Sequence, residues 1–517
     1  MDEAQLFEAA PTEVGATTHP GTGEPEASAI GRHAGRGLGW TLVGGVAFKV
    51  GSFVMSLVMV RLLAPQDFGL YAVALAANAF VIHVNDMGII AATVQWTGDV
   101  KRMASTARTM ALAFSLSWYA VFWTVAPLLA DAASSPDATP LVRLLTLTIV
   151  LDGLTAVSVG VMQRRFQQDK LMKAIAVGFI FNAIVGITLA ASGAGAYSFV
   201  LGSLTQSLVV AVLVLRVASL PYRFGFDRAI ARRLFRFGAP LALGLGIESI
   251  LLFSDSFIVG HLLGTEMLGF YLLAFNISSW VPGIVGTAVR YVSIPAFARL
   301  AEGEADGLTL AVQRSLPVMI SVVAPIAAVM AVLSPQLVSV LYGVHWERAG
   351  DALAFLALVM VARMFTGLVF DIQTGRGKTQ VTIWLNLTWL IFLVPTLWIG
   401  ASIGGMRGAA AGHAIVALVV AIPMAAWMLH TSGVDMRPVV RRLARPIVGA
   451  VTAALVMHAV AIPLDGPLVQ LVVAGGIGGV VYLLVAFPAS ALASVSARAW
   501  AWARSGWGRA AQRGAST

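Results

Sequence analysis

Cysteine is absent from this chain of 517 residues, and charged residues are scarce. Without a thiol, the protein can have no disulfide framework, no Cys-ligated zinc or iron–sulfur cluster and no thiol nucleophile. Charged residues make up 11% of the chain, less than half of the roughly 25% that a soluble domain carries. Hydrophobic residues make up 58%. This balance excludes an ordinary soluble protein and predicts that most of the chain lies in a membrane.

Sequence signatures of catalysis are absent as well. The chain contains no Walker A sequence GxxxxGK[ST], and its eight histidines include no HExxH pair. The longest predicted extracytoplasmic loops, around 131–140 and 335–349, are too short to form catalytic domains. We therefore expect a protein that is not an enzyme and that uses no metal and no cofactor.

Long apolar runs follow one another from residue 38 onward. A helix needs about 20 apolar residues to cross ~30 Å of hydrocarbon, and these runs lack the alternation of β-barrel strands. We predict an all-α polytopic membrane protein with about fourteen transmembrane helices. The predicted spans are 38–62, 70–94, 108–130, 141–162, 173–193, 196–216, 237–262, 268–290, 315–334, 350–371, 380–401, 408–429, 446–463 and 467–488.

The basic residues indicate the orientation of these spans. If both termini are cytoplasmic, all but six of the 34 Lys and Arg residues lie on the cytoplasmic side, as the positive-inside rule requires. The net charge of +9 is thus a topology signal rather than a sign of nucleic-acid binding. We expect a multi-pass protein of the plasma (inner) membrane, in contact with its lipids. The six exceptions are Lys49, Arg61, Arg143, Arg348, Arg363 and Arg407.

The chain contains an internal repeat. Residues 61–71 read RLLAPQDFGLY and residues 261–271 read HLLGTEMLGFY, so that Gly69 meets Gly269 and Tyr71 meets Tyr271 at a constant offset of 200 residues. Six spans separate the copies, and an even number gives both halves the same orientation. The repeat predicts two six-helix lobes related by a pseudo-two-fold axis along the membrane normal, although chance similarity between apolar helices is the alternative.

The predicted organisation has six parts. A disordered cytoplasmic tail, poor in apolar residues, precedes an N-lobe of helices 1–6. A basic cytoplasmic linker joins this lobe to a C-lobe of helices 7–12, and helices 13–14 and a basic cytoplasmic tail follow. The respective ranges are 1–35, 36–217, 218–236, 237–430, 431–488 and 489–517.

Ionisable residues inside spans are the candidate functional residues. Each costs at least about 2.5–3.5 kcal/mol, so it tends to face a cavity or a partner. Glu248 and Asp255 are seven residues apart and share one helical face. Position 249 is the repeat counterpart of Lys49, so Lys49 and Glu248 could face each other across the axis as a functional or a structural pair. The others are Asp152, Arg363 and, near span ends, Asp86, Arg290 and Asp371.

Residues near the membrane interface have a structural or gating interpretation. Asp86 and Asp371 lie near cytoplasmic span ends, and Arg61 lies at the outer mouth of the first span, where it could anchor the helix by snorkelling. We assign these three to structure or gating. Glu248 and Asp255 are candidate ion-coupling carboxylates, because a buried carboxyl group can bind and release protons.

The first repeat copy resembles the opening of Wzx-type polysaccharide flippases. In that family, an R-L-L-x-P-x-[DE]-F-G-L-Y loop leads into a second helix that ends in D-x-G-[LI], with a Gln a few residues on. Here these are residues 61–71, Asp86, Gly88, Ile89 and Gln95. The second half continues the likeness with FRFGAPL (235–241) and IPAFARL (294–300), and the resemblance covers about residues 36–430.

The resemblance implies a function. The family belongs to the multidrug/oligosaccharidyl-lipid/polysaccharide exporter superfamily, whose members have two lobes around a central cavity. It implies a bacterial flippase that moves an undecaprenyl-pyrophosphate-linked oligosaccharide from the inner to the outer leaflet by alternating access, with glycan-assembly proteins as further partners. A pyrophosphate inside the bilayer needs cationic partners. By this resemblance Lys49, Arg290 and Arg363 are candidates to bind it.

Other functions remain open at this point. Within the superfamily, the chain could be a multidrug or cation antiporter of the MATE type, for which Glu248 and Asp255 would suit a cationic drug, or a peptidoglycan-lipid flippase. From other classes, a membrane-embedded glycan polymerase or ligase would usually carry a larger extracytoplasmic loop than this chain has. A scaffold for a glycan-assembly complex is the remaining alternative.

Overall fold

A computed structural model describes residues 45, 48–85, 88–96, 98–165, 167–218, 223–283, 305–375 and 379–487. Within these ranges the chain forms helices and turns and no strand, in agreement with the predicted all-α class. Several predictions lie outside the described residues: both tails (1–35 and 489–517), Asp86, Arg290, and the segment 294–300. The side chain of Glu248 also lies outside them, although its backbone is helical.

The helices are numbered here in chain order. They are α1 (48–62), α2 (Pro65–Asn85), α3 (Ile89–Gln95), α4 (Val100–Ala132), α5 (Thr139–Leu145), α6 (Leu147–Arg164), α7 (Gln168–Ala191), α8 (Tyr197–Val217), α9 (Arg228–Val281), α10 (Ala305–Val332), α11 (Ser334–Tyr342), α12 (Ala349–Gly375), α13 (Thr379–Val416), α14 (Ile422–Thr431), α15 (Arg437–Ala461) and α16 (Pro467–Ala486).

Ten helical stretches of the described chain are long and apolar enough to cross a membrane. Helices satisfy their own backbone hydrogen bonds, which is why such runs are stable in hydrocarbon. The chain is therefore a multi-pass membrane protein. The finer count of fourteen spans and their division into two lobes stay predictions.

Two of the long helices each contain a glycine break. In α9, Gly264 has φ 83° and ψ 173°, and in α13, Gly405 has φ 58° and ψ −142°. Glycine reaches such positive φ values without the steric cost that a Cβ brings. One break lies between the predicted spans 237–262 and 268–290, and the other lies between 380–401 and 408–429.

The prediction of one continuous span over 70–94 is wrong. Helix α2 ends at Asn85, and α3 begins at Ile89 after Gly88, which has the left-handed values φ 64° and ψ 17°. A left-handed residue interrupts a right-handed helix. The apolar run alone did not reveal this interruption.

Helix α9 begins at Arg228, inside the segment predicted as a linker. Its N-terminus is capped by Asp227, whose Oδ1 accepts hydrogen bonds from the backbone N–H groups of Ala229 and Ile230. Asp and Asn are favoured at this position because they satisfy the first free N–H groups of a helix. The bonds from Ile230 and Ala229 lower the pKa of Asp227 below its usual range.

Helices α2 and α9 approach each other very closely at the two glycines of the repeat. A Cβ added to Gly69 would lie 1.8 Å from the carbonyl oxygen of Thr265, and one added to Gly269 would lie 1.8 Å from that of Pro65. Glycine permits the backbones to meet there. At the C-terminal end, α15 packs against α10 and α16.

Candidate functional site

Two adjoining cavities meet at the side chain of Lys49, near the start of the described part of α1. The first, the basic cavity, has a volume of about 650 Å³ and is lined by α1, α9, α10, α12 and α13. Its lining includes Lys49, Arg363, Asp371 and His413. The second, the aromatic cavity, has a volume of about 290 Å³ and is lined by α1, α2, α7, α8 and α9.

Lys49 borders both cavities. Its side chain is exposed and lies against the backbone of Gly283, where an added Cβ would be 2.9 Å from Lys49 Cε and 3.1 Å from Nζ. The absence of a side chain at Gly283 leaves room for the ammonium group at the junction. A cation in this position can interact with an anion in either cavity.

Arg363 is the second cation of the basic cavity. It projects from α12, and its guanidinium carbon lies 5.3 Å from the centre of the Phe275 ring on α9. Such a cation–π contact helps to hold the guanidinium in place. Asp371 lies two turns further along α12 and lines the same cavity. The structure thus brings Lys49, Arg363 and Asp371 around one space, as sequence position alone could not predict.

Asp255 is the centre of a buried polar cluster beside the basic cavity. Its Oδ2 accepts a hydrogen bond of 2.5 Å from the Tyr271 hydroxyl and lies 2.7 Å from His413 Nδ1. The three residues are 2%, 2% and 4% exposed. The second carboxylate oxygen, Oδ1, is also buried and has no hydrogen-bond partner among the described residues.

The cluster joins three helical segments. Asp255 and Tyr271 lie on either side of the Gly264 break in α9, and His413 comes from α13 after the Gly405 break. His413 also lines the basic cavity and lies edge-on to Trp389, with ring centres 6.1 Å apart. The imidazole therefore connects the cavity to the carboxylate.

The Asp255–His413 contact is an ion pair when the imidazole is protonated. An imidazolium and a carboxylate neutralise each other in a low-dielectric surrounding, and removal of either partner leaves the other buried without compensation. Among the residues that the structure describes, the other charged side chains that line the basic cavity are Lys49, Arg363 and Asp371.

Arg61 lies apart from both cavities, on a third surface. It is exposed at the end of α1, in a shallow depression that also includes Tyr342 and Trp346. Trp346 is 2% exposed, and its indole N–H donates a hydrogen bond of 3.0 Å to the carbonyl oxygen of Val60. Its ring packs edge-on against Phe68 at 4.9 Å and Phe270 at 5.7 Å.

Sequence reasoning missed His413, the direct partner of Asp255. The signal available in the sequence is a histidine inside the predicted apolar span 408–429, since an ionisable side chain there tends to face a cavity or a partner. For Tyr271 the repeat predicts an equivalent position to Tyr71 and gives no sign of a hydrogen bond to Asp255. Among the residues that the structure describes, no group of three or more His, Asp or Glu side chains could hold a metal ion.

A family profile matches more than half of the chain. Residues 58–351 match the family described as "Polysaccharide biosynthesis protein". The match begins in α1, includes the RLLAPQDFGLY segment and the second repeat copy, and extends to the start of α12.

Two curated relatives are similar over most of their length. The succinoglycan biosynthesis transport protein ExoT of Rhizobium meliloti (strain 1021) is 25% identical over 466 residues, which is 87% of this chain and 92% of the relative. The lipopolysaccharide biosynthesis protein WzxC of Escherichia coli (strain K12) is 22% identical over 391 residues, or 74% of this chain and 78% of the relative.

Two solved structures share the fold. The inward closed conformation of the lipid II flippase MurJ superposes with a TM-score of 0.73 at 12% identity, covering 86% of this chain and 97% of that one. An inward-facing multidrug resistance MATE family transporter of the MOP superfamily superposes with a TM-score of 0.55 at 18% identity, and the match covers 76% of this chain and 94% of that one. At these identities the likeness establishes the architecture alone.

Proposed function

The chain belongs to the polysaccharide biosynthesis protein family, and we propose that it is a flippase for a lipid-linked oligosaccharide. Its substrate is an undecaprenyl-pyrophosphate-linked oligosaccharide, which it moves from the inner to the outer leaflet for the synthesis of a surface polysaccharide. The observation that carries this proposal is the pair of cations, Lys49 and Arg363, around one cavity inside a multi-pass membrane protein.

A diphosphate is the chemical group that such a cavity suits. Its negative charges cannot enter hydrocarbon unaccompanied, and Lys or Arg side chains form short, strong hydrogen bonds with phosphate oxygens. Lys49 at the junction and Arg363 held over Phe275 supply these donors. The succinoglycan transport protein and the lipopolysaccharide biosynthesis protein, both similar over most of their length, support a polysaccharide precursor as the cargo.

Transport proceeds by alternating access between two six-helix lobes. Gly69 lies against Thr265, and Gly269 lies against Pro65, the residue 200 positions before Thr265. This reciprocal approach supports a two-fold relation between the halves. Rocking of the lobes about this contact opens the cavities to one leaflet and then to the other. Both termini are cytoplasmic, the protein resides in the bacterial inner membrane, and glycan-assembly proteins act on the product.

Protonation of the Asp255–His413 pair couples this movement to a proton gradient. Because the pair is buried, gain or loss of its proton changes the charge inside the C-terminal half and so favours one arrangement of helices over the other. His413 provides the route from the basic cavity to the carboxylate. Glu248, seven residues before Asp255 in the sequence of α9, is the second proposed coupling carboxylate.

A multidrug antiporter is the alternative within the same fold. A cationic drug requires acidic groups that are accessible in the cavity, and Asp371 is the one carboxylate among the described lining residues of the basic cavity. Asp255 is bonded to Tyr271 and His413 instead. With two cations in the lining, the cavity suits an anionic cargo better.

The test is translocation in reconstituted vesicles. The full-length protein is incorporated into liposomes that contain a fluorescent undecaprenyl-pyrophosphate oligosaccharide, and an external quencher reports which leaflet holds the label. We expect the protein to accelerate transbilayer movement, and an imposed pH gradient to accelerate it further. Movement no faster than in empty vesicles under any imposed ion gradient would contradict the proposal, and drug efflux in its place would favour the antiporter.

A further inference from the structure

The aromatic cavity has a composition that the basic cavity lacks. Lys49 is the single charged side chain among its described lining residues, and the rest of the lining consists of aromatic rings, hydroxyls, amides and apolar side chains. The basic cavity carries Lys49, Arg363, Asp371 and His413. Charge is therefore concentrated on one side of Lys49, and neutral polar groups lie on the other.

We propose that the aromatic cavity is the sugar subsite of the transporter, which binds a neutral, hydroxyl-rich sugar unit directly attached to the diphosphate. This inference rests on the proposed function, because it assumes a diphosphate held at Lys49 in the junction. With the diphosphate there, the first sugar extends into the cavity between α1, α7 and α8.

The polar wall of the subsite is an amide pair. Asn182 on α7 donates a hydrogen bond of 2.9 Å from Nδ2 to Oε1 of Gln206 on α8. Oδ1 of Asn182 lies beside Gly202, where an added Cβ would be 2.3 Å away, and it is buried without a hydrogen-bond partner among the described residues. Since Gln206 uses its oxygen for this bond, its Nε2 retains two N–H donors that can bind sugar hydroxyls.

Burial of two amide side chains between membrane helices is unfavourable unless their polar groups have hydrogen-bond partners. The bond between Asn182 and Gln206 satisfies one donor and one acceptor, and a sugar would satisfy the remaining donors of Gln206. Ser52, Ser203 and Asn276 add further hydroxyl and amide groups around the same space. Groups that both donate and accept are suited to sugar hydroxyls, which do the same.

The remaining walls are aromatic. Phe48 and Phe179 meet edge-on with ring centres 5.0 Å apart, and Tyr71 stacks on Phe199 at 4.5 Å with an angle of 15° between the rings. Aromatic faces pack against the C–H faces of pyranose rings, while the amides contact the hydroxyls at the rim. A volume of about 290 Å³, near the lower end of the roughly 300–1,000 Å³ usual for ligand sites, suits one sugar unit.

The deciding measurement compares two lipids that differ by one sugar. The probes are a polyprenyl diphosphate and the same lipid carrying a single neutral N-acetylhexosamine, and their dissociation constants are measured on the full-length protein in nanodiscs. We expect the wild type to bind the sugar-bearing lipid more tightly than the bare diphosphate. The Gln206→Met variant keeps the volume but removes the donors, and we expect it to lose about threefold to tenfold of this preference.

Three comparisons make the result specific. Gln206→Met must leave the affinity for the bare diphosphate unchanged, whereas Lys49→Ala weakens binding of both lipids. The matched control is Gln336→Met, which breaks a second amide pair, Gln336–Gln470 at 2.8 Å, that borders neither cavity. If Gln206→Met does not fold, Ser203→Ala carries the same test.

The outcomes separate the two proposals. A Gln206→Met variant that retains the full preference for the sugar-bearing lipid would overturn the sugar subsite and leave the flippase function intact. A wild type that binds both lipids equally would also overturn the subsite. Failure of the wild type to bind or translocate any lipid-linked sugar would overturn the proposed function itself.

Discussion

Gly69 and Gly269 make reciprocal close approaches between α2 and α9. A Cβ at Gly69 would lie 1.8 Å from Thr265 O, and a Cβ at Gly269 would lie 1.8 Å from Pro65 O. Pro65 and Thr265 are themselves 200 residues apart, as the two glycines are. A two-fold axis exchanges residue i with its counterpart in this way, so the contact supports the assignment of the two repeat copies to equivalent places.

Either glycine replaced by alanine should destabilise the protein. Gly69→Ala and Gly269→Ala each place a methyl group onto a backbone carbonyl that cannot move aside, and overpacking of this kind costs about 1–3 kcal/mol. We expect a lower melting temperature for each variant in detergent, measured by loss of the monodisperse peak after heating. The double variant should lose less stability than the sum of the two single losses, because both changes separate the same two helices.

The control is Gly476→Ala, at a helical glycine of α16 where an added Cβ meets nothing within 4 Å. It should leave the melting temperature unchanged or raise it slightly, since alanine favours the helix. Equal melting temperatures for Gly69→Ala and the wild type would show that the close approach in the structure is not maintained in the protein.

Much of the architecture was predictable because it depends on local composition. The all-α class follows from continuous apolar runs, and the breaks at Gly264 and Gly405 fall where the runs are interrupted. The match of residues 58–351 to the polysaccharide biosynthesis protein family includes the RLLAPQDFGLY segment. The interruption at Gly88 was not predictable in the same way, because a single left-handed residue leaves the hydropathy of the run nearly unchanged.

The candidate site was predictable only in part, because it depends on which helices are neighbours. The free-energy cost of an ionisable side chain inside a membrane span singled out Lys49, Asp255 and Arg363. The structure places Lys49 and Arg363 in the lining of one cavity. The partnership of Asp255 with His413 joins residues 158 positions apart. No periodicity within one helix encodes such a contact. The roles of these residues in transport stay predictions.

Removal of His413 alone should destabilise the protein more than removal of the whole ion pair. His413→Leu leaves Asp255 buried without its neighbour, and breaking a buried pair in this way costs about 3–5 kcal/mol. In the double variant His413→Leu, Asp255→Asn no charge remains to be buried, so part of the stability should return. Denaturation midpoints of the wild type, both single variants and the double variant measure this coupling.

The same cycle also tests proton coupling in vesicles. Asp255→Asn should still bind the lipid-linked substrate but should lose the acceleration that a pH gradient gives to the wild type. His458→Leu is the matched control, because His458 is exposed on α15, away from both cavities. An Asp255→Asn variant that responds fully to the gradient would rule out the pair as the coupling site.

Lys49 should determine the affinity for the diphosphate. Loss of a hydrogen bond to a charged group costs about 1.5–3 kcal/mol, so Lys49→Ala should bind a polyprenyl diphosphate about tenfold to a hundredfold more weakly. Lys49→Arg should retain most of the affinity, and the difference should shrink at high ionic strength. Lys101→Ala, at an exposed position on α4, is the control, and an equal loss there would indicate a general charge effect.

Trp346, in a segment predicted to be extracytoplasmic, contacts residues of both repeat copies. Its ring lies between Phe68 from the first half and Phe270 from the second, and its indole N–H bonds to Val60 O on α1. These contacts must separate if the cavities open toward the outer leaflet. Trp346 is therefore expected to hold the outer side closed.

Replacement of Trp346 should make the cavity more accessible from outside. The natural chain has no cysteine, so Ser56→Cys, at a lining position of the aromatic cavity, can be labelled with an impermeant maleimide without background. Trp346→Ala removes contacts that are worth about 3–5 kcal/mol in a core. If a third of this free energy favours the closed outer side, its loss raises the labelling rate about tenfold. Trp346→Phe keeps an aromatic ring but is smaller than indole and cannot donate the hydrogen bond to Val60 O, so its rate should be intermediate. The control is Trp427→Ala, at a residue that is 61% exposed, and it should be labelled at the wild-type rate. An unchanged labelling rate for Trp346→Ala would mean that other contacts hold the outer side closed.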